Sequence, residues 1–311
     1  MQRYPIYFSP VYKDYTWGGE KISTHLGRSV PFSRVAESWE IADHKDGMSI
    51  VENGVYQDAS LSELIQEHGT DLMGRKGEKF PLLIKILDAR SSLSIQVHPD
   101  EKSALRVGGE PKTEMWYVME AEPNAGLLIG FREKATLSSF VKASEENRVV
   151  EIMERYRARR GDAFFIPGGT IHAILHGGLI FEVQQNSNTT YRIYDWERGR
   201  PLHLKEASEV LIWEKSASAR CIPGKVHGGQ TLHTSSHFAM EKWTQSLCLR
   251  GPFSSFQVFF LLEGHASIEV EGNKTRLAST RACLVPASAE EIAIELEQGG
   301  TYLRVFLPEV E

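Results

Sequence analysis

The sequence predicts a mainly β protein, built as two barrel or jelly-roll units with a few helices attached to the first. Short apolar runs recur between turn residues, and helical periodicity is confined to three segments. A change of composition late in the chain separates the two units. The 311 residues, 41% of them hydrophobic, are enough to bury a substantial core.

The strands are predicted from short runs of β-branched, aliphatic and aromatic residues. Glycine, proline, aspartate and asparagine lie between these runs, as in proteins with many short strands and tight turns. The clearest runs are "PLLIKILDA", "LSIQVHP", "EMWYVME", "GLLIGF", "AFFIP", "GLIFEVQQ" and "YRIYDW".

Three segments have the spacing of an amphipathic helix. "LSELIQEHGTDLM" places Leu61 and Ile65 on one face, and "LKEASEVLIWE" is a shorter helix later in the chain. The third segment extends the spacing from Leu137 to Tyr156, which predicts a helical insertion near residues 133–156. We interpret the basic run "ERYRARR" as the solvated end of that helix.

A stretch over residues 214–236 is rich in Ser, Gly, Lys and Thr and has little periodicity. We therefore predict a larger first unit over residues 1–215 and a second β unit over residues 216–311. The net charge of −6 argues against nucleic acid or an anionic membrane as partner. No segment has the apolar length to span a bilayer, no signal peptide is evident, and the three cysteines are widely spaced, so we expect a cytoplasmic protein.

Polar residues at strand spacing predict a metal site in the first unit. Gln96 and His98 in "LSIQVHPD" are two apart and face the same side of a strand, as do Lys112 and Glu114 in "EPKTEMWYVME". "GDAFFIPGGTIHAI" ends one strand at a Pro-Gly turn and begins the next with His172, and it resembles the second histidine motif of cupin barrels. The candidate ligands are Gln96, His98, Glu114 and His172. This donor set suits Zn²⁺ with an open position, and equally Fe²⁺ or Mn²⁺.

Basic residues near this site suggest an anionic ligand. Lys85 lies within six aliphatic residues, and Arg192 alternates with its neighbours on one strand face. Salt bridges are the structural alternative, with Asp195 or Glu197 as partner for Arg192 and Lys112 as partner for Glu114. A metal surrounded by cations suits a sugar phosphate, because cations bind the phosphate and the metal polarises a carbonyl beside an acidified C–H.

Seven ordered stretches between about residues 12 and 245 resemble the type I mannose-6-phosphate isomerases (phosphomannose isomerases), in particular their short bacterial form. They are "YTWGGEKI", "AESWEIADHKDGMSIVENG", "FPLLIKILDARSSLSIQVHPDE", "GEPKTEMWYVME", "GDAFFIPGGTIHAI", "FEVQQNSNTTYRIYDW" and "FAMEKW". The resemblance implies two cupin-like barrels and reversible conversion of D-mannose 6-phosphate to D-fructose 6-phosphate through an enediol(ate), with one Zn²⁺ per chain.

The resemblance also implies roles for particular residues. His98, Glu114 and His172 correspond to zinc ligands, and Gln96 to a ligand of the longer members. Arg192 is the catalytic residue, Lys112 lies near the substrate in the catalytic site, and Lys85 faces the sugar phosphate. Longer members have a different strand around the zinc glutamate, where this chain reads "EPKTE".

Two further departures from the family pattern bear on function. Asn188 stands where members often have an aspartate considered as a base, so no general base is assigned. In the second unit, "TRACLVPASAEEI" imitates the Gly-Pro turn, but Thr280 replaces the glycine and Glu291 the histidine. We expect residues 216–311 to form a degenerate cupin-like barrel with a structural role.

Two other functions are compatible with these residues. Two histidines and a glutamate also fit another cupin metalloenzyme, such as a non-haem iron dioxygenase. Asn188 is the argument for a non-catalytic sugar-phosphate-binding protein. The sequence leaves open whether the protein is a monomer or a homodimer, and whether it serves mannose catabolism or biosynthesis.

Overall fold

A computed structural model describes residues 1–309 and divides them into two compact units. The central unit comprises Tyr12–Ser38 and Ile84–Cys221, and the terminal unit comprises Met1–Val11, Trp39–Leu83 and the residues from Ile222 onward. The last boundary falls at residue 221, close to the predicted one at residue 215. The sequence predicted two contiguous units, whereas each unit of the structure combines separate segments of the chain. The first strand explains why, since it hydrogen-bonds into a sheet of the terminal unit, with Ile6 opposite Leu284.

The elements follow one another as short strands with few helices, which confirms the mainly β fold class. The helices are α1 (Lys21–Thr24), α2 (Leu61–Met73), α3 (Glu101–Val107), α4 (Leu137–Glu145) and α5 (Leu204–Val210), with 3₁₀ turns at Gly54–Tyr56 and Val149–Ile152. The strands are β1 (Ile6–Ser9), β2 (Val11–Lys13), β3 (Glu37–Ile41), β4 (Asp43–His44), β5 (Gly47–Met48), β6 (Ile50–Val51), β7 (Leu82–Ala89), β8 (Ile95–Val97), β9 (Glu114–Ala121), β10 (Gly126–Phe131), β11 (Met153–Arg157), β12 (Ala163–Ile166), β13 (His172–Ile174), β14 (Gly178–Gln185), β15 (Tyr191–Tyr194), β16 (Gly224–Val226), β17 (Gly229–Thr234), β18 (Ala239–Trp243), β19 (Leu247–Arg250), β20 (Gln257–Glu263), β21 (Ala266–Val270), β22 (Asn273–Leu277), β23 (Ala282–Val285), β24 (Glu291–Leu296) and β25 (Thr301–Phe306). None of the helices in the described residues is long and apolar enough to cross a membrane.

The predicted helices at α2 and α5 are confirmed, but the prediction of a helical insertion near residues 133–156 is wrong in its second half. Helix α4 ends at Glu145, and Asn147 has a left-handed φ of 56° that cannot continue a helix. Residues Met153–Arg157, which include the start of the basic run, form β11 and pair with β10. Tertiary pairing therefore overrides a local spacing that is compatible with helix.

Two sheets are built mainly from residues of the central unit. One has the order β12-β9-β14-β7-β3-β2, and the other has the order β11-β10-β13-β8-β15. Their apolar faces share a core in which Trp116 and Phe164 of the first sheet are clustered with Leu127 and Ile174 of the second. The polar ends of β8, β9 and β13 meet beside this core. Strand β13 lies directly against β8, with His172 opposite Gln96.

The terminal unit also consists of two main sheets, of eight and four strands, with orders β16-β17-β18-β25-β20-β23-β1-β6 and β19-β24-β21-β22. Phe259, Ile268, Ile292 and Tyr302 belong to its fully buried core. Thr280, which stands where the motif of the first unit has Gly161, adopts a positive φ of 59°, while Gly161 has a φ of 88°. The two turns therefore share a left-handed backbone, as expected if the second motif is a degenerate copy of the first.

Candidate metal centre and substrate cavity

Three of the four predicted ligands meet at one point of the central unit. His98 directly follows β8, Glu114 begins β9 and His172 begins β13. One ligand atom from each lies within 4.8 Å of the others, and each residue is about 1% exposed. Among the described residues, this is the group of histidine, cysteine and acidic side chains that is close enough to hold a metal ion.

The spacing of the ligand atoms fits a divalent cation. The Nε2 atoms of His98 and His172 are 3.2 Å apart, and the Glu114 carboxylate oxygens lie 3.3 Å from His172 Nε2 and 3.6 Å from His98 Nε2. Ligands bound at about 2.0–2.1 Å in a tetrahedral shell stand about 3.3 Å apart. Glu114 Oε1 is buried and has no hydrogen-bond partner within residues 1–309. An unsatisfied carboxylate oxygen facing two imidazoles is what a bound cation would neutralise.

Backbone carbonyls orient both imidazoles. His98 Nδ1 lies 2.8 Å from Thr189 O, and His172 Nδ1 lies 2.8 Å from Thr170 O. A carbonyl only accepts, so we assign the proton of each neutral ring to Nδ1, which leaves the Nε2 lone pairs directed into the cluster. Burial, together with the nearby ammonium of Lys112, holds the pKa of His98 well below its ordinary value and lowers the pKa of His172 to about 4. Both rings are therefore neutral near pH 7, as metal binding requires.

Gln96 and Lys112 border the three ligands. The Gln96 amide nitrogen lies 3.5 Å and 3.4 Å from the Nε2 atoms of His98 and His172, while its oxygen accepts a hydrogen bond from Ser94. The Lys112 ammonium lies 2.5 Å from Glu114 Oε2 and 3.0 Å from His98 Nε2. Burial raises the pKa of Glu114 to about 7, even though Lys112 favours its charged form. The salt bridge between Glu114 and Lys112, which the sequence offered as the structural alternative, is therefore present in the structure.

A polar cavity of about 290 Å³ opens beside this cluster. It brings together the predicted substrate residues Lys85, Lys112 and Arg192, with Asn188 at the same wall. The sequence interpretation missed several other lining residues, which are Tyr15, Trp17, Glu37, Ser94, Glu182 and Arg200. Glu182 carried a usable signal, since it is a charged residue within the apolar run "GLIFEV" of its strand.

Lys85 forms a buried ion triad at the cavity wall. Its Nζ lies 3.3 Å from Glu37 and 3.5 Å from Glu182, and Glu182 also accepts a hydrogen bond from Trp116 Nε1 at 2.9 Å. Burial opposes the charge of Lys85, but the two carboxylates outweigh it and raise the pKa of Lys85 to about 12. Likewise, burial opposes the charge of Glu182, but Lys112 and Lys85 outweigh it and lower the pKa of Glu182. The salt-bridge alternative for Lys85 is thus present in the structure, and the same residue lines the cavity.

Lys85→Met is expected to lower the free energy of unfolding by about 3 kcal/mol, because two buried carboxylates lose the cation that lies within 3.5 Å of both. Urea denaturation at pH 7 measures this loss. Lys142→Met on the exposed side of α4 is the matched control and should change the free energy by less than about 0.5 kcal/mol. Equal stability of the two variants would mean that the triad contributes little to the fold.

Arg192 lies on β15 and lines the cavity, and it does not form the salt bridge to Asp195 that was the structural alternative. Asp195 instead accepts two hydrogen bonds from Arg200, at 2.7 Å and 2.5 Å. Arg192 Nη1 donates to Pro201 O at 3.0 Å, whereas its Nε is buried and has no hydrogen-bond partner in the part of the chain that the structure describes. Partial burial and the nearby Arg200 lower the pKa of Arg192, although Asp195 opposes this. Arg192 therefore lines the cavity without a carboxylate bound to its guanidinium among the described residues.

Comparison with known proteins finds similar chains within one enzyme family. The family model described as phosphomannose isomerase type I, catalytic domain, matches residues 6–130. The mannose-6-phosphate isomerase ManA of Bacillus subtilis is 39% identical over 266 residues, covering 79% of this chain and 81% of that protein. The mannose-6-phosphate isomerase of Streptococcus mutans is 37% identical over 250 residues, covering 77% and 78%. The crystal structure of the mannose 6-phosphate isomerase from Bacillus subtilis superposes with a TM-score of 0.87 at 29% identity, covering 97% of this chain and 99% of that one.

Proposed function

The chain belongs to the type I phosphomannose isomerases, and from that premise we propose that it interconverts D-mannose 6-phosphate and D-fructose 6-phosphate. The observation that carries the proposal is the convergence of His98, Glu114 and His172 beside a cavity lined by cationic side chains. The cationic side chains suit an anionic sugar phosphate, and the ligand cluster suits a metal that assists proton transfer, so the proposed reaction needs both features.

The metal of the proposal is one Zn²⁺ per chain, held by His98, Glu114 and His172, with Gln96 as the neighbouring fourth side chain. Two neutral imidazoles and one carboxylate are a common donor set of catalytic zinc sites that keep a position open for substrate. When bound, Zn²⁺ polarises a carbonyl or hydroxyl oxygen as a Lewis acid without redox chemistry. Fe²⁺ and Mn²⁺ share this donor set, so metal analysis decides between the three.

Lys112 and Arg192 are the catalytic residues of the proposal. Isomerisation moves a proton between adjacent carbons, and negative charge develops on the sugar oxygens as the enediol(ate) forms. A preorganised guanidinium or ammonium stabilises that charge, and Lys112 and Arg192 both line the cavity. The amide of Asn188 cannot accept the proton, and the base is left unassigned.

The phosphate is expected to bind among the cations of the cavity wall. Lys85 and Arg192 are the proposed binding residues, with Lys112 nearer the cluster. Arg200 adds a further guanidinium, fixed in orientation by its two hydrogen bonds to Asp195. Guanidinium groups bind phosphate oxygens through charge-assisted N–H donors, which favours a role for the donors of Arg200 that Asp195 does not engage.

We assign catalysis to the first unit and a structural role to the chain from residue 216 onward. Every ligand and lining residue of the proposed site lies within residues 12–221. The degenerate turn with Thr280 and Glu291 offers no equivalent histidine.

A coupled assay for fructose 6-phosphate, with metal analysis, tests the proposal. We expect turnover of mannose 6-phosphate with about one zinc per chain, a loss of at least about 100-fold after chelation, and recovery with Zn²⁺. Bound iron with substrate-dependent oxygen uptake would indicate a dioxygenase instead. Binding of the sugar phosphate without turnover would indicate a non-catalytic binding protein.

A further inference from the structure

The segment Pro201–His203 holds Arg192 at three points. His203 Nδ1 accepts a hydrogen bond from the Arg192 backbone N–H at 3.1 Å, and the His203 N–H donates to Arg192 O at 2.7 Å. Pro201 O accepts from the Arg192 guanidinium at 3.0 Å. Both backbone groups and the head group of the proposed catalytic arginine are therefore held by one short segment.

The position of Arg192 explains why such a support is needed. Among the described residues, β15 is an edge strand that pairs with β8 alone, and the ladder shifts register between Arg192 and Tyr194. The outer N–H and C=O groups of an edge strand have no neighbouring strand to bond. At Arg192, the imidazole and backbone N–H of His203 occupy the place of that missing strand.

His203 is itself held firmly enough to act as a support. It precedes α5, and its carbonyl accepts the hydrogen bond from Ala207 N at 2.9 Å. Its ring packs edge-on against Tyr191, with ring centroids 6.3 Å apart. Because Nδ1 accepts a hydrogen bond from the Arg192 N–H, its lone pair is free of hydrogen, and we assign the hydrogen of the neutral ring to Nε2.

We propose that His203 is a positioning residue that holds Arg192 in the register required for isomerisation. This inference rests on the proposed catalytic role of Arg192. A support of this kind matters because a displacement of about 1 Å at a catalytic group can lower the rate about 100-fold. His203 acts only through Arg192, so its effect should vanish when the guanidinium is removed.

The test compares His203→Ala and His203→Asn in the wild type and in the Arg192→Ala background. We expect His203→Ala to lower kcat about 10- to 100-fold. His203→Asn should remain within about fivefold of wild type, because its amide oxygen can accept in place of Nδ1. In the Arg192→Ala background, His203→Ala should cause no further loss, as a double-mutant cycle requires of two coupled residues.

Leu202→Ala is the matched control, since this exposed neighbour lies in the same segment and should leave kcat unchanged. Thermal melting and zinc content, unchanged across the variants, separate positioning from loss of fold. If His203→Ala does not fold, His203→Asn is compared with His203→Gln, whose amide oxygen reaches past the Nδ1 position and should not rescue activity.

Wild-type kcat in His203→Ala, equal activity of the Asn and Gln variants, or the same fractional loss with and without Arg192 would each overturn the inference. Failure of the proposed function is distinguishable, because the wild type itself would then not convert mannose 6-phosphate, whereas failure of the role proposed for Arg192 would be seen as full activity in Arg192→Ala.

Discussion

Replacing His172 by alanine is expected to reduce isomerase activity by about 1000-fold or more and to lower the zinc content well below one per chain. Loss of a residue that only supports a ligand already reduces metal affinity or activity by about 10- to 100-fold, so loss of a ligand should exceed this. The remaining pair, His98 and Glu114, would hold the ion with two side chains instead of three. Metal analysis after dialysis and the coupled assay measure the two effects.

His176→Ala is the matched control for this prediction. His176 lies four residues further along the chain, is exposed, and is not part of the ligand group. The His176→Ala protein should keep the zinc content and the turnover rate of the wild type. A His172→Ala protein with full zinc and full activity would contradict the metal centre, whereas equal losses in both variants would indicate general damage to this segment.

Arg192→Ala is expected to lower kcat about 1000-fold while the protein keeps its zinc. Removing one preorganised donor to a developing oxyanion lowers rates by about 100- to 1000-fold. Among residues 1–309, the Arg192 guanidinium donates one hydrogen bond, to the carbonyl of the exposed Pro201, which water can replace, so its removal should leave little unsatisfied in the fold. The combination of retained metal and lost turnover separates this residue from the ligands.

Arg192→Lys should recover only part of the activity, because an ammonium keeps the charge but lacks the planar set of N–H donors. Arg132→Ala, at an exposed arginine of the same unit, serves as the surface control and should behave as wild type. If Arg192→Ala retained wild-type kcat, the catalytic role proposed for it would have to be abandoned. Loss of zinc in the same variant would indicate an indirect effect on the metal centre.

Local rules selected four candidate metal ligands from the sequence, three of which lie close enough together to hold an ion. Alternation along a strand puts residues two apart on one face, and proline and glycine end one strand and begin the next. These rules identified His98, Glu114 and His172, which lie together in the structure. The same kind of reasoning misassigned Met153–Arg157, because a spacing of three and four over so short a stretch is compatible with helix as well as with strand.

Contacts between distant parts of the chain were decided only by the tertiary structure. Glu37, Lys85 and Glu182 come from three separate strands and form one buried triad, and His203 reaches Arg192 from the other side of a turn. Hydrophobic alternation specifies which face of a strand is buried, but it carries no information about which strand lies beside it. Residue spacing therefore determined which side chains are candidates for binding a metal. Strand order and register determined which residues hold Lys85 and Arg192 in place.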